Sequence, residues 1–584
     1  MMRSQSIFLP MYRGIVHAYI EQGTHWSVIE HLLLFALSQK PFTMDGLAQY
    51  GRLPKGIVVE AVLRLMRAGW VEIQADRSGD QLQASASGRE EALKDSLTPI
   101  VRRYPRNLHF AIDRVTGTVI GLEDITLKHA RDIAEERRRG QTLHAPVNGD
   151  ETDLGYLELI DRLSAIPRII RSDEKIVGCD PYRSSIDAEW YLPLTVSGDA
   201  IEGLPPTPPR CLQEGIREAV AKVSSKERVA PEDKATRLDI GYSHRTHSIS
   251  LSKDDVLVGG DAHKEALRAA ILNARRRVIV HSTFLSAAGL ERQLDVLTAA
   301  ASEGVRVDLL WDRSDEDDKH EKTLKACHAL LKRASLADFI RLSSFQTRSH
   351  SKQIIADDGA GGYFAIVGSC NWLSSPFRSF EVSVRLRSAS VVSDCLGFIE
   401  KMLPYDSYTG RLKEELISLG VQLRQVPASS GTTTVRLLSQ GDHEEIIAQA
   451  RDNARSFVFV ASNKAGNTVE TQVLAPFDSA TQHHQPLNVS VYYQNERTGS
   501  ALTPEVLDSL KRRYGRIHIE TVEHAHAKLL CWDSDHAVVT SLNWLSKDAS
   551  AANFVGECGV YIVASGIADL LRTSYLSQCG RASK

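Results

Sequence analysis

The sequence predicts an α/β protein: two pseudo-symmetric α/β lobes, preceded by a small helical domain with a β-hairpin and by a mixed α+β region. Three observations predict it. From about residue 253 the chain repeats itself. Each copy alternates an amphipathic helix with an apolar strand. Finally, 584 residues are too many for one domain, and the composition, 42% hydrophobic and 24% charged, is that of a globular chain. It excludes a disordered or collagen-like chain. The net charge of −3 provides no global positive field, so any nucleic-acid binding needs local basic patches.

Residues 1–95 are expected to form the first domain. Apolar positions run from Trp26 to Leu37, and a short helix follows from Met44 to Gln49 with Thr43 as N-cap. After the turn Gly51-Arg52-Leu53-Pro54 comes a second long helix through Val58, Val59, Val62, Leu63 and Met66, with Gly69 at its C-terminus. Trp70–Ile73 and Gln81–Gln83 read as a hairpin. The order resembles the winged helix-turn-helix family, in which the helix after the turn can enter a DNA groove. Here that helix offers Lys55, Arg64 and Arg67. Three cations are few, and such domains also serve as protein-interaction modules.

Residues 96–252 are the mixed α+β intermediate region, to which no function is assigned. His109–Ile112 and Thr118–Ile120 suggest strands around a turn at Gly117. Ile125–Arg139 reads as a helix ending in Arg137-Arg138-Arg139, cations suited to a helix C-terminus or to phosphate. Gly203–Pro209, rich in proline, reads as a linker.

The repeat divides the rest into lobe 1, residues 253–430, and lobe 2, residues 431–584. His263, Asn273 and Val280 match His443, Asn453 and Val460 at constant spacing. Val305–Trp311 and Leu487–Tyr493 are matching strands. Each lobe then carries HxK(x)4D: His350, Lys352 and Asp357 in the first, His526, Lys528 and Asp533 in the second. Ser369-Cys370-Asn371-Trp372 and Ser541-Leu542-Asn543-Trp544 follow, then Glu381 and Glu557. One such match arises by chance; two at equivalent places of a repeat do not. On a strand, residues i and i+2 share a face, so each His–Lys pair should project into one pocket. Two copies facing each other would surround a tetrahedral oxyanion with two imidazoles, two ammonium groups and two amides.

This constellation resembles the phospholipase D superfamily of HKD phosphodiesterases over residues 253–584. The resemblance implies a covalent phosphohistidine and no metal or other cofactor. It makes His350 the nucleophile and His526 the general acid. Lys352, Lys528, Asn371 and Asn543 would bind phosphate, with Ser369 and Ser541 beside them as substrate-binding groups. Glu381 and Glu557 would orient the histidines, and Asp357 and Asp533 would hold the loop behind the site. One departure is Thr540, which stands where the family usually has glycine. Another is the insert Asp358–Gly362, a longer hairpin turn.

Other candidates have plainer readings. His524 and Arg348 would share the face of the motif histidines, as contacts to substrate or as solvated side chains. Asp312–Asp318 reads as a solvated loop rather than a metal site, and Trp372 and Trp544 as core. The apolar run Ile29–Leu37 is far short of the roughly 20 residues of a membrane span, and no signal peptide is read. The eight cysteines form no CxxC pair, which fits a reducing cytoplasm. No GxxxxGK[ST] loop is present. The expected function is a metal-independent phosphodiesterase, a nuclease whose partner is nucleic acid, DNA in particular. A winged-helix fusion suits this better than a lipase. In a bacterium it would fit defence against foreign DNA beside a helicase or ATPase partner. The alternatives are a phospholipase D or phospholipid-processing enzyme, and a DNA-binding or assembly module with a non-catalytic site. Both motifs lie in one chain, so no oligomer is needed to complete the site.

Overall fold

The computed structural model describes residues 5–24, 26–76, 79–94, 96–98, 100–133, 143–144, 155–166, 169–171, 173–198, 200–225, 245–314, 320–404, 410–427, 430–466, 468–483, 486–494, 504–549 and 556–579. The first strand, β1 (Gln5–Thr24), is followed by helices Val28–Gln39, Met44–Gly51 and Lys55–Arg67 and by the hairpin β2 (Val71–Asp76) and β3 (Gly79–Ala84). The helices start where the sequence places caps. Ser27 and Glu30 form a reciprocal capping box on the first, and the Thr43 side chain accepts from Gly46 N–H on the second. Gly69, at φ +76°, turns the chain out of the third helix as no β-carbon-bearing residue does easily. Leu33, Leu34, Leu37, Leu47, Val58, Val62 and Leu65 form the core beneath them.

The strand β1, expected within the first domain, instead lies at the centre of the next sheet. It pairs antiparallel with β4 (Ile100–Asp113) and β8 (Glu174–Ser197). Its apolar residues find their partners there, so the helical unit is an insertion between two paired strands. Short strands β5 (Val119–Gly121), β6 (Lys128–His129), β7 (Leu143–His144) and β9 (Ala200–Glu202) extend this sheet. β4 and β5 are the expected hairpin, turning through Gly117 at φ +71°. The helix expected at Ile125–Arg139 is not formed over residues 125–133. Lys128 and His129 pair with Tyr191 and Trp190 of β8, and sheet pairing wins over helix propensity. Arg137–Arg139 lie outside the described residues.

Each lobe is built on one sheet. Lobe 1 uses β11 (Val256–Val258), β12 (Arg277–Leu285), β13 (Arg306–Ser314), β14 (Ile340–Leu342), β15 (Gln353–Asp357), β16 (Tyr363–Gly368) and β17 (Val382–Leu386), in the order 11-17-16-15-12-13-14. One strand that precedes lobe 1 in sequence, β10 (Thr246–Ile249), crosses to the edge of lobe 2. Lobe 2 continues with β18 (Thr433–Leu438), β19 (Phe457–Ser462), β20 (Asn488–Gln494), β21 (Ile517–Val522), β22 (Leu529–Trp532), β23 (His536–Thr540) and β24 (Gly559–Val563). Its order is 10-18-24-23-22-19-20-21, which after β10 repeats that of lobe 1 strand for strand. In each lobe the two strands beyond β12 or β19 run parallel and are joined by helices, as parallel connections require.

The two sheets face one another. Ile355, Val367 and Val384 of lobe 1 share one core with Phe459, Leu529, Val539 and Val560 of lobe 2. The outer face of each sheet carries its own core under its helices, and Trp372 and Trp544 sit in these two outer cores, both 1% exposed. Helices Tyr156–Ser164, Ala389–Met402 and Gly410–Arg424 tie the β1–β4–β8 sheet into the central core. Among the described residues no helix is long and apolar enough to cross a membrane.

Candidate active site

Both motifs lie just before a strand, not on one. β15 begins at Gln353 and β22 at Leu529, one residue after each lysine. The preceding segments are extended, held by contacts to the opposite lobe. Phe380 N–H donates to His524 O at 2.7 Å, and His526 and Ala527 N–H donate to Phe380 O at 2.9 Å. On the other side His350 N–H donates to Gly556 O at 2.6 Å. Phe380 is fixed by its ring, edge-on to Tyr575 with centroids 5.3 Å apart. Arg348 and His524 hold φ of +54° and +57° at equivalent positions. That left-handed turn breaks the alternation that would have put them on the face of His350 and His526, and both are exposed.

The glutamates are crossed between lobes. His350 Nδ1 lies 3.0 Å from Glu557 Oε2, and His526 Nδ1 lies 2.9 Å from Glu381 Oε1. A carboxylate on Nδ1–H fixes the tautomer whose Nε2 carries the free lone pair. Burial holds both histidines below the usual imidazole range, with neighbouring lysines adding to it against the pull of the glutamates. Burial opposes charge on Glu557 and Glu381 too, but the facing histidine and lysine outweigh it and both carboxyls sit below their ordinary value. Ser369 and Ser541, expected beside the phosphate, give their protons to these carboxylates: Ser369 to Glu381 and Ser541 to Glu557. Each also accepts a backbone N–H, Val382 at 3.1 Å or Cys558 at 3.0 Å. They hold the glutamates rather than offering a free donor.

Lys352 and Lys528 are wholly buried. Lys352 Nζ donates to Thr283 Oγ1 at 2.7 Å and to His350 O. Lys528 Nζ donates to His526 O at 2.7 Å and stands 3.3 and 3.4 Å from the two ring nitrogens of His526. Burial first, and for Lys352 the charge of Lys528, bring the ammonium groups down to about 7 and about 8. Asn371 and Asn543 are buried, and their amide oxygens find no partner among the described residues. Asp357 accepts the N–H groups of Arg275, Arg276 and Arg277, and Asp533 those of Arg455 and Ser456. These two carboxylates pin the turn behind each lobe, as expected. Among the described residues no group of three or more His, Cys, Asp or Glu is placed to hold a metal ion. Asp315–Asp318 lie outside the described residues.

The lysines have a pH consequence. An ammonium with a folded pKa near 7 or 8, and 10.5 as its ordinary value, is charged below that pH and neutral above it. Inorganic phosphate or vanadate should therefore bind progressively more weakly as pH rises through 7 to 8. Over pH 7 to 10 the unfolded chain holds protons that the folded lysines have shed, so these two groups make the anion-free protein more stable as pH rises. Calorimetric titration and melting at a series of pH values read both.

Thr540 has an account. In lobe 1 the buried His263 lies 2.9 Å from Ser383 Oγ through Nε2, and Ser383 pairs with Gly368 across the strands. In lobe 2 His443 Nε2 meets Thr540 Oγ1 at 2.7 Å, and Thr540 pairs with Gly559. The hydroxyl has moved to the other strand and the glycine has moved opposite it. A β-carbon on Gly559 would stand 2.8 Å from Thr540 and 3.1 Å from His443 Nε2. Gly559→Ser should thus cost about 1–3 kcal/mol by overpacking. Thr540→Gly with Gly559→Ser, which copies lobe 1, should recover most of it in a denaturant melt.

The three cations expected to meet DNA are differently placed. Lys55 pairs with Asp45 at 2.6 Å and Arg64 with the buried Glu30 at 2.8 Å, while Arg67 is exposed. The sequence reading missed the crossing of the glutamates, and it missed His281, fully buried behind the first motif. A histidine inside the apolar run Val278–Leu285 was the available signal for the latter.

Residues 267–403 match the family described as "Cardiolipin synthase, PLD-like domain". The match lies within the first lobe, and the chain has a mixed α/β fold. Among solved structures, phosphatidylserine synthase of Haemophilus influenzae Rd KW20 is similar at 12% identity, over 56% of this chain and 86% of that one, with a TM-score of 0.40. Nuc of Salmonella typhimurium, a phospholipase D family member, is similar at 15% identity, over 25% of this chain and 94% of that one, with a TM-score of 0.21. Yeast tyrosyl-DNA phosphodiesterase 1, in a mutant form, is similar at 12% identity, over 52% and 89%, with a TM-score of 0.34. No curated protein matches this chain.

Proposed function

We propose that the protein is a metal-independent phosphodiesterase that cleaves nucleic acid, DNA in particular, through a phosphohistidine. The observation that carries the reading is the pair of crossed His–Glu contacts, with two buried lysines between them. His350 Nε2 attacks phosphorus, and the bond to the leaving oxygen breaks. His526, entering the reaction as the imidazolium, gives that oxygen its Nε2 proton. Water then attacks the phosphohistidine and loses its proton to His526, which frees His350. Lys352 and Lys528 carry the positive charge that the five-coordinate transition state needs. The Asn371 and Asn543 amides complete the set.

The lobes are not equal, and their difference supports His350 as nucleophile. Lys352 is drawn to Thr283. The ammonium of Lys528 stands against the ring of His526, where it competes with a phosphorus centre for the ring's lone pair. The nucleic-acid substrate is supported by the helical unit with its hairpin, although only Arg67 of its three named cations is without an ion pair to a described neighbour. Its partners would be DNA and, in a defence role, a helicase or ATPase, with the protein in the cytoplasm. The description of the family matched by lobe 1 favours a second reading, a phospholipid substrate. The test is incubation in EDTA with single-stranded DNA, double-stranded DNA, and anionic liposomes. Shortened DNA supports the first reading. Released headgroup with intact DNA supports the second, and neither product overturns the enzymatic one.

A further inference from the structure

The two motif segments are held in different ways. In lobe 2 the backbone around His526 receives the three bonds to Phe380 given above. In lobe 1 His350 N–H donates to Gly556 O. Side chains hold this segment as well. Ser349 Oγ accepts Ser351 N–H at 3.2 Å and donates to Ser351 Oγ at 3.1 Å. Ser351 Oγ lies 2.9 Å from His281 Nδ1, and His281 Nε2 lies 2.8 Å from Thr347 Oγ1; since Ser351 Oγ already accepts from Ser349, its own proton goes to Nδ1, which leaves Nε2–H to donate to Thr347. His281, Ser349 and Ser351 are each 0% exposed. Thr283 Oγ1, two residues from His281, donates to His350 O at 2.9 Å.

Lobe 2 lacks this network by sequence. Strand register equates His281, paired with Gln353, to Ala461, paired with Leu529. The motif equates Ser349 and Ser351 to Ala525 and Ala527. Three buried alanines stand where lobe 1 has a histidine and two serines. A buried polar network must be fully bonded to be tolerated, and once bonded it rigidifies what it holds. This one holds the residue between His350 and Lys352. We propose that His281 is a positioning residue for the first motif: through Ser351 it fixes the backbone that aims His350 and Lys352 at phosphorus, a task that Phe380 performs for the second motif. The proposal rests on His350 acting as nucleophile.

The test uses the full chain with a labelled single-stranded oligonucleotide in EDTA. The variant is His281→Ala with Ser351→Ala, which gives lobe 1 the pair that lobe 2 already packs. A small displacement of an attacking group costs about a hundredfold in rate. We expect kcat to fall by about that factor, with KM within about twofold, in protein that circular dichroism shows to be folded. His281→Asn, whose amide oxygen can accept from Ser351, should recover most of the rate. An unchanged kcat in the double variant overturns the proposal. So does a loss confined to KM, or an equal loss in His281→Asn. If the wild type cleaves nothing, the proposed function fails, and positioning is read instead from the imidazole Cε1 NMR signals. The double variant should then displace the signal of His350 and leave that of His526 in place; both unmoved overturns it.

Discussion

His350→Ala and His526→Ala will each abolish cleavage of DNA in EDTA, by about a thousandfold or more, while leaving the melting temperature nearly unchanged. Removing a nucleophile or its proton-transfer partner from a site that acts as a unit costs this much, and the two losses do not add. The physical reason is visible in the contacts. Each imidazole is held by one carboxylate, with Lys528 also against the ring of His526, and each is partly exposed, so alanine removes a reacting atom and little packing. The double variant should be no slower than either single one. Cleavage that persists at the wild-type rate in either variant would place the chemistry elsewhere, and an activity that EDTA removes would deny metal independence. Retention of DNA binding in both variants, read by mobility shift, would show that the loss lies in the chemical step.

Much of the site was legible because its residues are locally encoded. The spacing of His350 with Lys352 survives even though the segment is not a strand, because an extended chain has the same alternation. The repeat placed both motifs, and the matched strand orders follow from it. The rest was not legible for stated reasons. Which glutamate serves which histidine depends on how the sheets dock. A repeat read within one lobe leaves that open; Phe380 and Gly556, which set the crossing, carry no motif. The left-handed turns at Arg348 and His524 occur at residues that do not advertise them. Residues 5–24, expected within the first domain, form a strand whose partners lie at Ile100–Asp113 and Glu174–Ser197, and pairing at that range leaves no periodic trace in the sequence. The move of a hydroxyl from Ser383 to Thr540 looked like a departure in one residue and is half of a reciprocal change with Gly559.

The crossing itself makes the second large prediction. If Glu557 serves His350 and Glu381 serves His526, then each glutamate should fail in the manner of the histidine in the opposite lobe. A thymidine p-nitrophenyl phosphodiester separates the two roles, because nitrophenolate leaves without a proton. With this substrate, His526→Ala should still release nitrophenolate in a burst near one equivalent. It should then stall, holding a phosphohistidine at His350 that mass spectrometry of the acid-quenched protein would detect. Glu381→Gln should behave the same way in milder form, with a burst intact and turnover slowed by about 10²-fold, the lower range for a general acid–base group. His350→Ala should give no burst, and Glu557→Gln a burst slowed by a similar factor, since an imidazole without its carboxylate is a weaker and less well-aimed nucleophile. If instead Glu381→Gln slowed the burst and Glu557→Gln spared it, either His526 would be the nucleophile or the pairs would not be crossed in solution. The site of the trapped phosphoryl group, at position 350 or 526, decides between those two. The prediction depends on the contacts at 3.0 and 2.9 Å between lobes and on no property of either lobe alone, so it tests the docking of the two sheets as directly as it tests the chemistry.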